Sequence, residues 1–177
     1  WLGTGFLVGD DVIMTNEHVA IEFSRPGNNG QWIFRQGYST SIDYDQDVAN
    51  NHNEFRIKEI IGLHDSLDIA LLKISKDPTE NSKQLPKPLK IAKDVDENKI
   101  NGSNVYVVGF PARDPLRNDP IEMDRIFPGV YGVKRLQPGN IMNIDDSTPT
   151  LTHDCSTLGG NSGSCVIDLE TNNVIGL

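Results

Sequence analysis

The hydrophobic residues of this chain fall in short runs that are separated by turn-forming residues. The first two runs, residues 6–8 and 12–14, flank Gly9, Asp10 and Asp11. A cluster of turn residues between two short runs rich in aromatic and aliphatic residues is typical of a β-hairpin. The pattern therefore predicts two antiparallel strands over residues 6–14.

Further apolar runs along the chain have the same character. Each is short, rich in β-branched residues and bounded by Gly, Pro, Asn or Asp, which favours strands over helices. The predicted strands cover residues 31–34, 55–61, 69–74, 105–110, 129–136, 165–168 and 174–177. Because no long stretch has the helical period, the pattern predicts an all-β sandwich or barrel.

The segment 77–99, rich in Pro, Lys and Asp, is the one long stretch without a strand pattern. Long stretches of this kind in a compact protein commonly connect structural units. We therefore predict a first β half over residues 1–80, a connector over 81–100 and a second β half over 101–177. Two packed halves would leave one cleft between them.

Composition narrows the partners that the chain can have. A hydrophobic share of 37% with 23% charged residues is typical of a globular protein, and 177 residues suffice for a real core. The net charge of -9 would repel phosphate groups, and no basic cluster offsets it. No apolar run approaches the roughly 20 residues that cross a bilayer. We expect no nucleic-acid partner and no membrane partner, and the compartment stays open.

Two cysteines, Cys155 and Cys165, are too few for a disulfide scaffold and lack the spacing of a zinc site. They could pair with each other, although buried free thiols are favoured. No pattern indicates a cofactor, so we predict none.

Four acidic residues match ligand positions of a calcium-binding loop, namely Asp43, Asp45, Asp47 and Glu54. The match fails at Val48, where that loop requires glycine for its sharp turn, and no helix pattern flanks the segment. A solvated acidic loop is the better interpretation, and we predict no metal site.

Three short segments carry residues suited to nucleophilic catalysis. They are Thr-Asn-Glu-His-Val at 15–19, Leu-Asp-Ile-Ala-Leu-Leu at 67–72 and Gly-Gly-Asn-Ser-Gly-Ser at 159–164. A serine hydroxyl attacks efficiently only when a neighbouring base takes its proton, and an imidazole suits that task near neutral pH. A carboxylate on the other ring nitrogen fixes the tautomer of the base. We predict Ser162 as nucleophile, His18 as base and Asp68 as the orienting carboxylate.

Other aspartates and histidines of the chain compete for the roles of Asp68 and His18. Asp65 competes with Asp68, but Asp68 directly precedes the apolar run 69–74. We expect His18 to end an apolar strand. The remaining histidines, His52, His64 and His153, are expected to be surface or structural residues, with His153 near the substrate.

The chain order of these residues and the identity of residue 162 exclude two other classes of hydrolase. An α/β-hydrolase runs Ser, Asp, His and has glycine two residues after the nucleophile, whereas this chain runs His, Asp, Ser and has Ser164 there. A cysteine peptidase of the same fold would need cysteine at position 162.

In order and approximate spacing, the three segments resemble those of the trypsin-like serine peptidases, most closely the bacterial glutamyl-endopeptidase branch. The resemblance runs from Gly-Thr-Gly-Phe at 3–6 to Val-Ile-Gly at 174–176. It implies two antiparallel six-stranded β-barrels of the chymotrypsin-like fold, with the active site between them. It also implies that strands are missing at both ends of the chain, and that further domains of a longer chain are possible partners.

The same resemblance implies a serine endopeptidase that hydrolyses protein or peptide substrates through an acyl-enzyme. In the glycine-rich turn, the amides of Gly160 and Ser162 would form the oxyanion hole. Asn161 stands where animal trypsins have the aspartate that pairs with a newly cut N-terminus, so that ion pair cannot form here.

Specificity is predicted from the segment before the nucleophile. Ser156 occupies the position of the carboxylate in trypsins, and Thr157 matches the threonine that contacts the acidic side chain in glutamyl endopeptidases. The matching histidine of that group would fall one residue beyond Leu177. A preference for Glu or Asp is therefore a hypothesis. An alternative function, a catalytically silent binding or regulatory module of the same fold, is less favoured because all three triad residues are present.

Overall fold

A computed structural model of the chain describes residues 2–77, 84–93, 95, 100–145 and 147–177. Within these residues the chain is built mainly of strands. They are β1 (Phe6–Leu7), β2 (Val12–Thr15), β3 (Ser24–Pro26), β4 (Trp32–Phe34), β5 (Ser41–Asp43), β6 (Glu54–His64), β7 (Ile69–Ile74), β8 (Asn104–Gly109), β9 (Arg135–Asp145), β10 (Thr150–His153), β11 (Cys165–Asp168) and β12 (Val174–Gly176). The helices are α1 (Glu17–Phe23), α2 (Pro120–Ile126) and a 3-10 turn (Asp65–Leu67).

The first sheet has the strand order β1-β2-β7-β6-β5, with antiparallel neighbours throughout. Its central strand β7 alternates, so that Ala70, Leu72 and Ile74 are buried. They pack with Phe55 of β6 in one apolar cluster. Burial of a side chain such as Leu72 contributes about 1.5–3 kcal/mol, so this cluster supplies much of the stability of the first sheet.

The second sheet has the order β10-β9-β8-β11-β12, again antiparallel. Strand β8 lies in its centre and buries Val105 and Val107. Val107 packs with Ile141 of β9 and Val166 of β11. The alternating pattern of the sequence thus places one face of each strand in the core.

The predicted all-β class is confirmed, since two curled half-barrel sheets form the framework of the described chain and helices are few. The strand count differs from the expected six, because each sheet has five hydrogen-bonded strands. Strands β3 and β4 pair only with each other as a separate ribbon. Period 2 in a sequence shows which residues form strands, whereas the partner of each strand depends on tertiary packing.

The predicted hairpin over residues 6–14 is confirmed, with Phe6 opposite Met14. The predicted strand over 129–136 is mostly wrong, because β9 begins only at Arg135. Gly129 and Gly132 have φ of 68° and 66°, in the left-handed region, which ends an extended strand.

Two helices were not predicted. Helix α1 follows β2 directly, so the expectation that His18 ends a strand is wrong; His18 lies in the first turn of this helix. In α2 the Asp119 side chain accepts hydrogen bonds from the amides of Ile121 and Glu122, and Pro120 is the first helical residue. An N-cap followed by proline is a helix-start signal that was present in the sequence.

The predicted connector, residues 81–100, lies partly outside the described residues, at 81–83, 94 and 96–99. Its described part touches strands of both sheets. The Leu89 amide donates to the Leu7 carbonyl at 2.8 Å, and the Val174 amide donates to the Lys90 carbonyl at 2.7 Å. The boundaries at residues 80 and 100 remain a prediction.

Cys155 and Cys165 are both buried and unpaired, as the sequence favoured. Burial raises the pKa of the Cys165 thiol to about 11. Among the residues described, no helix is long and apolar enough to span a membrane.

Candidate active site

His18 and Asp68 are joined by two hydrogen bonds. The Asp68 Oδ2 atom lies 2.8 Å from His18 Nδ1, and Asp68 Oδ1 accepts from the His18 backbone amide at 2.9 Å. Both carboxylate oxygens are therefore used to hold one residue. With Nδ1 occupied, the Nε2 atom of the ring remains for a second partner.

Asp68 has an unusual backbone conformation that brings its side chain to His18. Its φ and ψ of 50° and 45° place it in the left-handed region directly after the 3-10 turn. Aspartate tolerates this region better than most residues, although it is still costly. Its carbonyl accepts from the Glu17 amide at 3.1 Å and from Asn16 Nδ2 at 2.9 Å, which holds the conformation. The competing Asp65 instead accepts from the Ser66 amide.

Asn16 links this pair to the loop that carries Ser162. While its Nδ2 donates to Asp68, its Oδ1 accepts from the Gly163 amide at 2.5 Å. One side chain therefore connects three segments that are far apart in the chain. Sequence reasoning missed Asn16, although its place two residues before His18 was a signal that could have found it.

The loop around Ser162 is also fixed by residues near the start of the first sheet. The Thr4 amide donates to the Ser162 carbonyl and the Thr4 hydroxyl to the Gly160 carbonyl, each at 2.7 Å. At Gly3 an added Cβ would lie 2.8 Å from the Ser162 carbonyl oxygen and equally close to Val19. Gly3 therefore lies closely packed between the Ser162 loop and Val19, the helix residue that follows His18.

Among the described residues, the two backbone amides on either side of Asn161 have no acceptor. In a trans peptide the carbonyl and the amide point in opposite directions. The Gly159 carbonyl accepts from Ala112 and the Asn161 carbonyl from Ser164, at 2.7 and 2.8 Å, so the following Gly160 and Ser162 amides point away from those donors. Within the described part of the chain, neither amide donates to an acceptor.

Gly160 has φ of 90°, a conformation that favours glycine. A Cβ there would lie 2.4 Å from the Phe110 carbonyl oxygen. Glycine is thus required at position 160 for both conformation and space.

A cavity of about 260 Å³ adjoins Ser162. Thr157 lines it, as do His153, Leu158 and Leu177, whereas Ser156 is not among the lining residues. The His153 Nδ1 atom is buried and has no hydrogen-bond partner in the described part of the chain. The sequence predicted only that His153 lies near the substrate. Its position in the cavity wall depends on the pairing of β10 with β9, which the sequence does not show.

A larger cavity of about 430 Å³ lies against the first sheet. Its walls include residues 2–5 and 39–43, and neither His18, Asp68 nor Ser162 lines it. Chemistry, and not cavity size, therefore identifies the candidate site.

The acidic segment before β6 is organised by hydrogen bonds. Asp43 Oδ1 accepts from the amides of Asp45 and Asn53 at 3.0 and 2.8 Å, and its Oδ2 lies 2.5 Å from His52 Nδ1. Among the described residues, no group of three His, Cys, Asp or Glu side chains is placed to hold a metal ion.

The side chains of His18 and Asp68 are 53% and 47% exposed. A half-exposed pair lies where a ligand could reach it and exclude water from it. An imidazole hydrogen-bonded to a carboxylate is linked through Asn16 to a serine loop, in which two amides have no acceptor among the described residues. These are the kinds of groups that a nucleophilic hydrolase site uses.

The chain belongs to the trypsin-like peptidase domain family, whose model matches residues 3–177. It is 28% identical over 195 residues to a probable serine protease of Lysobacter enzymogenes, covering 94% of this chain and 49% of that protein. It is 30% identical over 182 residues to a glutamyl endopeptidase of Staphylococcus epidermidis, covering 99% of this chain and 52% of that protein.

A glutamyl endopeptidase of Staphylococcus aureus is 26% identical over 180 residues, covering all of this chain and 42% of that protein. The chain thus spans about half the length of these curated relatives.

Proposed function

We propose that this protein is a serine endopeptidase in which Ser162, His18 and Asp68 act as a catalytic triad. The observation that carries the proposal is the double hydrogen bond between Asp68 and His18 in a segment that Asn16 ties to the Ser162 loop. Membership in the trypsin-like peptidase family supports the same reading.

In the proposed reaction the Ser162 hydroxyl attacks the carbonyl carbon of the scissile peptide bond. His18 takes the hydroxyl proton on Nε2, while Asp68 holds Nδ1–H and stabilises the imidazolium. The carbonyl oxygen becomes an oxyanion, which the Gly160 and Ser162 amides would bind. His18 then returns the proton to the leaving amine, the C–N bond breaks, and water releases the acyl group from Ser162 by the same steps.

The two free amides make the largest expected contribution besides the triad. Removing one oxyanion donor typically lowers turnover by about 10²–10³-fold. The reason is that a donor fixed in the protein stabilises the developing charge without the reorganisation that mobile water requires. The Ala112 and Ser164 hydrogen bonds support this role, since they orient both peptide planes before any substrate arrives.

A fluorophosphonate probe tests the proposal directly. The Ser162 oxygen would form a bond to phosphorus, fluoride would leave, and His18 would take the hydroxyl proton. We expect one adduct by intact mass in the wild type and in Ser147→Ala, an exposed turn serine, and none in Ser162→Ala. Absence of the adduct in a folded wild type would instead favour the silent binding or regulatory module.

We further propose that the cavity beside Ser162 receives the side chain before the cleaved bond, with a preference for Glu or Asp. His153 and Thr157 line this cavity and offer ring N–H and hydroxyl donors to a carboxylate. Two of the relatives are named glutamyl endopeptidases.

Cleavage of a peptide library by wild type, Thr157→Val and His153→Gln tests the preference. We expect Glu and Asp before the cut in the wild type and a weaker preference in each variant. A library profile without acidic residues at that position would remove the specificity proposal and leave the triad proposal intact.

A further inference from the structure

Gln137 is a buried amide among apolar residues of the second sheet. It lies on β9 with 3% exposure, opposite Val107 of β8, and Ile141 is buried on the same face. A polar side chain in such a position is costly unless it is hydrogen-bonded, so its partner indicates why it is there. Its Oε1 has no partner in the part of the chain that the structure describes, so the hydrogen bond of this side chain is made by Nε2.

The partner of Gln137 is Asn161, the residue between Gly160 and the nucleophile. Gln137 Nε2 donates to Asn161 Oδ1 at 2.9 Å. The same oxygen lies 3.4 Å from the Ser164 hydroxyl, and Asn161 Nδ2 donates to the Leu158 carbonyl at 3.2 Å. Asn161 is only 7% exposed, so these bonds are shielded from water.

The fold leaves space for this amide pair at Gly109. A Cβ on Gly109 would lie 2.2 Å from Asn161 Oδ1 and 2.1 Å from Ser164 Oγ. The absent side chain on β8 therefore makes room for the Asn161 side chain beneath the loop.

Asn161 lies between the peptide planes that carry the Gly160 and Ser162 amides. A change in its φ or ψ angle therefore rotates the Ser162 amide relative to the Gly160 amide. A side chain bonded at Oδ1 and Nδ2 resists that rotation, and neither bond involves a charged group.

We propose that Gln137 is a positioning residue which, through Asn161, holds the Gly160 and Ser162 amides in their anion-binding orientation. The inference rests on the proposed peptidase function. The buried amide pair keeps the site assembled without an ion pair at Asn161. In Gln137→Leu, Asn161 Oδ1 keeps only the long bond from Ser164.

Inactivation by a fluorophosphonate measures the effect, since the phosphonyl oxygen would also bind the two amides. For Gln137→Leu we expect the maximal inactivation rate to fall about 10- to 100-fold, less than the 10²–10³-fold loss of a whole donor. The concentration for half-maximal rate should change less than about threefold, because the lost interaction acts in the transition state. Equal rates for wild type and variant would overturn the proposal.

Gln137→Glu adds a signature that a merely structural role does not have. A protonated carboxyl can donate to Asn161 Oδ1, whereas a carboxylate can only repel that oxygen. Burial raises the pKa of a carboxyl, so the change should fall within an accessible pH range. The rate of the variant relative to wild type should therefore decrease as pH rises from about 5 to 9. If the inactivation rate of the variant relative to wild type is the same at every pH, the positioning role is contradicted.

Val105→Ala is the matched control, because Val105 is a buried residue of β8 that does not line the cavity. It should destabilise the sheet while its relative inactivation rate stays near wild type at every pH. If Val105→Ala slows inactivation as much as Gln137→Leu, general destabilisation explains the loss and the proposal fails.

Amide NMR separates this inference from the triad proposal. We expect the Gly160 and Ser162 amide resonances to shift or broaden in Gln137→Leu and to stay unchanged in Val105→Ala. This readout holds even for a wild type that does not react with the probe. Unchanged Gly160 and Ser162 resonances in Gln137→Leu would overturn the inference whatever the activity.

Discussion

Gly163 offers the sharpest test of how closely the candidate site is packed. Its φ is 86°, in the left-handed region. A Cβ at this position would lie 2.1 Å from the Thr4 carbonyl oxygen and 2.3 Å from the Thr15 hydroxyl. These two groups are joined by a hydrogen bond of 2.6 Å, so neither can move away freely. Gly163→Ala therefore adds two separate penalties.

The first penalty is conformational and amounts to about 1–2 kcal/mol for an L-residue in the left-handed region. The second is steric. Either the loop or Thr4 must shift, and the shift would lose the buried bond from Thr15 to Thr4, which costs about 1–3 kcal/mol. We expect Gly163→Ala to lower the free energy of unfolding by about 2–5 kcal/mol.

Gly37→Ala separates the two penalties. Gly37 has nearly the same φ, 85°, but nothing lies within 4 Å of an added Cβ. We expect this variant to lose only the conformational part, about 1–2 kcal/mol. Urea denaturation of both variants, with equal slopes, measures the difference. Equal losses in the two variants would show that the contacts with Thr4 and Thr15 do not constrain Gly163, and the packing argument would be wrong.

Three further predictions concern stability and reactivity. Burial alone would raise the pKa of Asp43, but hydrogen bonds from the Asn53 amide and the His52 ring lower this pKa below its usual value. The lowered pKa stabilises the folded protein at a pH above the pKa that Asp43 has in the unfolded chain, and this stabilisation is lost as the pH falls through the pKa of Asp43 in the folded protein. Asp43→Asn should therefore flatten the dependence of the urea midpoint on acidic pH, and an unchanged slope would contradict this. Cys165 should resist a thiol reagent in the native protein and react on unfolding, since burial raises its pKa to about 11; rapid native labelling would show that it is accessible. Asp119→Ala should cost about 1 kcal/mol by removing the cap of α2, as measured by thermal unfolding, whereas Asp119→Asn should cost much less.

Local pattern was sufficient for most strands because a strand that buries one face must alternate its side chains. Strand β7 coincides with its predicted range, residues 69–74. Helix α1 was missed because its seven residues are too few to show the helical period in the sequence. The burial of Val19, Ala20 and Phe23 follows from packing against the first sheet.

The residues proposed for catalysis could be predicted from local segments of the sequence. The contacts among these residues could not be predicted in this way. The sequence marked His18 and Asp68 separately. Their hydrogen bonds depend on the left-handed turn at Asp68 and on the antiparallel pairing of β2 with β7. The role of Ser156 in substrate binding is a prediction that the cavity lining does not favour.

The sequence by itself determined the fold class, most of the strand segments and the candidate residues His18, Asp68 and Ser162. These features follow from side-chain period and from short segments that can be read locally. Only the tertiary structure decided the contacts of Asn16 and Gln137, because each contacts the serine loop across a large separation in the chain. The alternation of a strand shows that Gln137 is on one face, but the strands that pack beside it decide that its amide meets Asn161.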